Sequence, residues 1–118
     1  MIYHIQGCVI NTEHRTLEQA GQRTRLTPKL FRLLLLFIES GGQVVTKHSI
    51  IKHVWQGQLV CETTVYKLVQ RLRTLLGDDG DAQSVIQTIH GEGYLMSAKQ
   101  HKTGLWTRLQ QVLWRQAG

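Results

Sequence analysis

Apolar and polar residues follow a helical period over residues 63–76. The apolar positions share one stripe along such a helix; they are Val65, Leu68, Val69, Leu72, Leu75 and Leu76. Because an apolar stripe must be buried, we predict a helix that packs on a core. The opposite side is polar and basic, and its residues are Thr63, Thr64, Tyr66, Lys67, Gln70, Arg71, Arg73 and Thr74.

Two further helices are predicted upstream. Thr27 and Pro28 indicate a helix start, because threonine caps free amides and proline has its φ preset for the first helical position. This helix is apolar on nearly all sides, as expected of a buried helix, and extends to about Ser40 before a glycine pair. After a short strand at residues 44–45, Thr46 can cap a second helix that extends to about Trp55.

The pattern at both ends of this helical region is typical of strands. Residues 1–26 alternate in short pieces broken by glycine and asparagine, which predicts antiparallel strands joined by turns. Residues 85–89 and 94–96 flank a glycine-containing turn and predict a β-hairpin. Three helices followed by a hairpin, with a basic third helix, are the plan of an α+β winged helix-turn-helix.

Composition limits the chain to one globular domain and a tail. It has 118 residues, of which 42% are hydrophobic and 19% are charged. The net charge of +6 and the pI near 9.8 favour nucleic acid or an anionic membrane surface as the partner. Charge alone does not choose between these two partners.

No pattern for a metal, a cofactor or catalysis is present in the sequence. Cys8 and Cys61 form no CxxC pair, and the spacing of His48 and His53 does not place two imidazoles side by side on a helix. No phosphate loop, paired carboxylates or Ser-His-Asp context is found. We therefore predict a protein that is not an enzyme, with no cofactor and no metal.

The sequence has no signal peptide and no run of 18 apolar residues. These two observations predict a cytoplasmic protein, attached to the inner membrane only if the native chain continues into a membrane span.

The basic side of the third helix indicates double-stranded DNA as the partner. It carries three positive charges and no negative charge between Thr63 and Leu76. Arginine and glutamine can each make two hydrogen bonds to a base edge, lysine and threonine reach phosphates, and a helix fits the major groove. Two alternatives stay open: a solvated helix face, and a winged helix whose basic face meets an acidic protein, as in a co-regulator or antagonist.

An ordered set of short motifs resembles the C-terminal effector domain of OmpR/PhoB-type bacterial transcription regulators over about residues 3–98. The motifs are Leu26-Thr27-Pro28 and its leucine-rich helix, Val44-Val45-Thr46, Val54-Trp55, Val65 with Val69, Leu72-Arg73, Leu75-Leu76-Gly77 and Ile89-His90-Gly91-Glu92-Gly93-Tyr94. The resemblance implies a four-stranded antiparallel sheet at the N-terminus, a recognition helix, a β-hairpin wing, and tandem head-to-tail binding to repeated half-sites.

The resemblance also implies contact residues. On the recognition helix they are Thr63, Tyr66, Lys67, Gln70, Arg71 and Arg73, and on the wing they are Thr88 and His90. Trp55, Gln56 and Gln58 fall in or beside a loop that in the family touches DNA backbone or RNA polymerase, although Trp55 is equally compatible with core packing. The family usually has Arg or Lys at the position of His90, and often has an acidic residue and His at the positions of Tyr66 and Leu68. The base specificity of the family therefore does not transfer to this chain.

Fewer than 30 residues precede the first helix, too few for a receiver domain. The layout resembles the receiver-less ToxR and CadC-like regulators, in which a membrane span commonly follows the winged helix. We expect residues 1–98 to form the winged-helix DNA-binding domain and residues 99–118 to form a linker with an amphipathic helix at 103–116. Docking on the domain, homodimerisation and contact with a membrane surface are three roles compatible with that helix.

Overall fold

The structure is a computed structural model that describes residues 1–78, 83–97 and 100–103. The strands are β1 (Ile2–Ile5), β2 (Cys8–Asn11), β3 (Thr16–Gln19), β4 (Gln22–Arg25), β5 (Val45–Thr46), β6 (Ile86–Ile89), β7 (Gly93–Met96) and β8 (Gln100–Thr103). The helices are α1 (Pro28–Glu39), α2 (Lys47–Val54) and α3 (Glu62–Leu75). The predicted α+β winged helix-turn-helix is confirmed.

The N-terminal strands β1 to β4 form consecutive antiparallel pairs, which confirms the four-stranded sheet. Strand β8 pairs antiparallel with β1 and extends this sheet to five strands. The sequence did not predict this fifth strand, which lies within the expected linker and includes Thr103 of the expected tail helix. The rest of that helix, residues 104–116, lies outside the described residues, and the domain boundary at residue 98 stays a prediction.

The helix starts follow the predicted caps. Thr27 Oγ1 accepts a hydrogen bond from the Leu30 amide at 3.3 Å, and Thr46 Oγ1 accepts one from the Ser49 amide at 3.0 Å. Helix α3 begins one residue before the predicted start at Thr63 and ends one residue before Leu76. Among residues 1–78, 83–97 and 100–103, no helix is long and apolar enough to cross a membrane.

One hydrophobic core joins the sheet to the three helices. The apolar stripe of α3 faces it, since Val65, Val69, Leu72 and Leu76 are buried and the other two members of the stripe pack against them. Helix α1 contacts both α2 and α3 and buries five apolar side chains. This packing fixes the orientation of α3 on the core and leaves most of its polar side facing outward.

A second sheet has the order β5-β7-β6. Strands β6 and β7 form the predicted hairpin, hereafter the wing, and β7 also pairs with the short strand β5 in front of α2. The wing is therefore attached to the helical body along its inner strand.

Candidate nucleic-acid interface

The outward side of α3 presents most of the predicted contact residues to solvent. The exposed ones are Thr63, Thr64, Tyr66, Lys67, Arg71 and Thr74, while Gln70 is half-buried. Glu62 opens the helix, and its carboxylate lies 3.4 Å from the Lys47 Nζ. This position beside the helix N-terminus agrees with the favourable interaction between an acidic side chain and the helix dipole.

Arg73 departs from the predicted arrangement, because it is buried with 2% of its surface exposed. Its Nε and Nη2 donate to the Ile86 carbonyl oxygen at 3.1 and 2.9 Å, and Nη2 also donates to Thr88 Oγ1 at 2.8 Å. The prediction that Arg73 lies on the solvent-facing side of the helix is wrong. The physical reason is that Ile86 and Thr88 of β6 lie against the Arg73 side chain and accept its hydrogen bonds, a contact that helical spacing alone does not contain.

The buried guanidinium is stabilised without a carboxylate. Within the described residues Arg73 forms no ion pair. Besides its hydrogen bonds to carbonyl and hydroxyl oxygens, the guanidinium makes a cation–π contact with the Tyr94 ring, whose centroid lies 5.8 Å from the guanidinium carbon. Of the three cations on the polar side of α3, Lys67 and Arg71 remain exposed. The exposed positive charge of the helix is thus concentrated on its central turns.

A chain of side-chain hydrogen bonds runs along the same side of α3. Arg73 Nη1 donates to Gln70 Oε1 at 2.7 Å, and Gln70 Nε2 donates to the Tyr66 hydroxyl at 3.0 Å. The three residues are spaced four and three positions apart, where helix side chains meet. Their spacing was visible in the sequence, but the buried position of Arg73, which anchors the chain, was not.

Asp78 joins the end of α3 to the start of the wing. Its buried carboxylate accepts hydrogen bonds from the amides of Ser84, Val85 and Ile86 at 2.7, 3.1 and 2.8 Å, and from the Ser84 hydroxyl at 3.0 Å. Burial alone would raise the pKa of this carboxyl, but the four hydrogen bonds outweigh burial and hold the pKa below its ordinary value. The sequence pattern ended the helix at residue 76 and gave no role to Asp78.

One side of the wing is exposed, and its inner strand is tightly packed where it begins. Thr88 and His90 are exposed. At the start of β7, Gly93 pairs with Thr46, and a Cβ atom at Gly93 would collide with the Val45 carbonyl oxygen. The absence of a side chain at residue 93 therefore allows β7 to lie against β5.

The loop between α2 and α3 divides into a buried and an exposed part. Trp55 is 7% exposed and belongs to the core, which agrees with its packing role and leaves almost no indole surface for a loop contact. Gln56 and Gln58 are exposed, and Leu59 is fully exposed. Cys61 precedes α3, and hydrogen bonds from the Thr64 side chain and amide lower the pKa of its exposed thiol.

Comparison with known proteins places this arrangement in a family. Residues 21–96 match the family described as "Transcriptional regulatory protein, C terminal". The transcriptional regulatory protein CseB of Streptomyces avermitilis is 37% identical over 90 residues, which cover 75% of this chain and 36% of that relative. The chain thus spans about a third of that relative's length.

Two solved structures have the same fold. The DNA-binding domain of Escherichia coli CadC superposes with a TM-score of 0.74 at 21% identity, covering 86% of this chain and 96% of that domain. The DNA-binding domain of Klebsiella pneumoniae RstA, solved in complex with the RstA box, has a TM-score of 0.70 at 22% identity and covers 80% and 95%.

Proposed function

Given that the chain belongs to the family of transcriptional regulatory protein C-terminal domains, we propose that it binds specific double-stranded DNA sites to regulate transcription. In this proposal α3 enters the major groove and the wing contacts the adjacent backbone or minor groove. The observation that carries it is the outward side of α3, where exposed donors stand on a helix fixed by its buried stripe.

The proposed roles follow the chemistry of each side chain. Arg71 reads a base edge, because arginine can donate two parallel hydrogen bonds to guanine. Lys67 and the exposed threonines contact phosphates, and Thr88 and His90 approach the backbone from the wing. Arg73 has no free surface for such a contact and acts through its neighbours.

The test compares Arg71→Ala with Lys67→Ala on the preferred DNA site and on scrambled DNA. We expect Arg71→Ala to weaken binding to the preferred site by about 1 to 3 kcal/mol and to relax base preference at one position. Lys67→Ala should weaken binding to both DNAs alike and lower the salt slope by about 1.

Lys29→Ala is a matched control, because Lys29 is an exposed cation on α1 and its substitution removes the same charge from a different helix. Affinities of both α3 variants equal to that of Lys29→Ala would contradict the proposed interface. If the chain binds an acidic protein but has no affinity for DNA, the co-regulator alternative is favoured.

The exposed loop supports a second contact. Leu59 is a fully exposed apolar side chain on the loop before α3, and an apolar side chain can pack against a protein surface but makes no favourable polar contact with a phosphate. We propose that residues 56–59 contact RNA polymerase while α3 holds the DNA. Leu59→Ser should then leave DNA affinity unchanged and lower transcription from a regulated promoter; equal transcription would contradict this contact.

A further inference from the structure

We propose that Arg73 and Gln70 fix the polarity of the Tyr66 hydroxyl, so that it donates a hydrogen bond to an acceptor atom on a base edge in the major groove. This inference rests on the proposed DNA-binding function and adds a specificity-determining residue, Tyr66, and a positioning residue, Arg73. It follows from the donor and acceptor capacities of three neighbouring side chains.

The first step is that Arg73 orients Gln70. A guanidinium has only donors, so the atom of Gln70 that lies 2.7 Å from Arg73 Nη1 must be the amide oxygen. Arg73 itself cannot turn away, because it is buried and its Nε and Nη2 are held by the Ile86 carbonyl and Thr88. The Gln70 amide is therefore locked in one of its two orientations.

The second step is that Gln70 orients Tyr66. With its oxygen toward Arg73, Gln70 turns its Nε2 toward the Tyr66 hydroxyl at 3.0 Å, and an amide nitrogen can only donate. The hydroxyl oxygen thus accepts this bond, and its own proton remains for an outward partner. Tyr66 is 48% exposed on the DNA-facing side of α3, so the proton is accessible.

The third step identifies the partner. In the major groove guanine offers the N7 and O6 acceptors, adenine offers N7 and thymine offers O4, whereas cytosine offers only its N4 donor. A fixed donor at Tyr66 therefore accepts guanine, adenine or thymine at the base it faces and disfavours cytosine. Without the lock, the hydroxyl could reverse and tolerate all four bases.

The experiment selects bound sequences from a randomised DNA duplex library with the wild-type chain, Tyr66→Phe, Gln70→Glu and the double variant. For the wild type we expect cytosine to be disfavoured at one position of the selected site. Tyr66→Phe should reduce the discrimination against cytosine at that position by about fivefold, the value of one hydrogen bond. Base preferences at the other positions should stay unchanged.

Gln70→Glu gives the sharper result because it reverses the polarity. A carboxylate accepts from Arg73 and also accepts the Tyr66 proton, which leaves only the tyrosine oxygen facing outward. The preference at that position should move to a base with an amino donor, cytosine or adenine. In the Tyr66→Phe background Gln70→Glu should leave the preference at that position unchanged, although its added negative charge weakens binding to all sequences.

The inference is overturned if Tyr66→Phe keeps the wild-type preference, if it weakens all sequences alike as a phosphate contact would, or if the Gln70→Glu shift persists without the tyrosine hydroxyl. A wild-type chain that selects no sequence at all would overturn the proposed function together with the inference. If the wild type selects a motif and Tyr66→Phe selects the same motif, the inference alone is overturned. Thermal unfolding of each variant checks that the selected differences come from folded protein.

Discussion

Arg73 and Arg71 lie two positions apart on α3 and have opposite environments. Arg71 is exposed, whereas Arg73 is enclosed by β6 and the Tyr94 ring and donates hydrogen bonds to three different residues. Residue type and charge are identical, so the difference comes from tertiary packing alone. Arg71 is free to meet a ligand, and Arg73 connects α3 to the wing.

Arg73→Lys should destabilise the domain by about 1 to 3 kcal/mol, because a single ammonium cannot reach the Ile86 carbonyl, Thr88 and Gln70 in the fork geometry of a guanidinium and leaves buried acceptors unpaired. The free energy of unfolding in urea measures this loss. Arg71→Lys is the matched control and should stay within about 0.5 kcal/mol of the wild type. Equal stabilities of the two variants would show that the buried Arg73 guanidinium adds nothing to the free energy of unfolding beyond what lysine provides.

Asp78 predicts a pH dependence of stability. Its pKa is lowered in the folded chain, so the native state binds this proton less readily than the unfolded state. The stabilisation is complete above the ordinary aspartate pKa of about 3.9 and is lost as the pH falls through the lower native pKa. Asp78→Asn should reduce the free energy of unfolding by about 1.5 to 3 kcal/mol at pH 7.

Urea unfolding of the wild type and Asp78→Asn between pH 7 and pH 3 measures this dependence. The stability difference between the two proteins should be constant at neutral pH and narrow toward acid. A difference that stays the same down to pH 3, or that widens, would show that the ionised carboxylate is not what holds the start of the wing.

At the scale of elements, the helices followed from local signals. Thr27 and Thr46 cap α1 and α2 as predicted, and the apolar stripe of α3 determines which side is buried. Strand β8 lacked any such signal, because its sequence Gln-His-Lys-Thr is polar throughout and its pairing with β1 joins opposite ends of the chain. The burial of Arg73 was missed for the same reason, since β6 lies far from it in sequence.

Gly93→Ala should separate β7 from β5, because the added methyl group would collide with the Val45 carbonyl oxygen. Overpacking of this kind costs about 1 to 3 kcal/mol. We expect lower thermal stability and faster hydrogen exchange of the backbone amides that pair β5 with β7. Gly91→Asn is the control, because residue 91 has open space and a φ of +77° that asparagine tolerates; similar effects of both changes would contradict the close-approach argument.

At the scale of the whole molecule, the net charge of +6 predicted a polyanionic partner, and the ordered motifs predicted the family that the comparison then found. The site was predicted less completely than the fold. Most of the outward residues of α3 follow from its apolar stripe, but the anchoring of Arg73 by β6 and the link from Asp78 to the wing depend on elements brought together by folding. Tandem binding to repeated half-sites stays a prediction.

The most direct test of the central claim is to capture fragmented genomic DNA with the purified chain at two salt concentrations and to sequence what is retained. We predict enrichment of a defined motif that survives at the higher salt, with half-sites about 10 to 11 bp apart if binding is in tandem. Retention of all fragments equally, lost on adding salt, would reduce the interface to non-specific charge attraction and contradict sequence-specific recognition by α3.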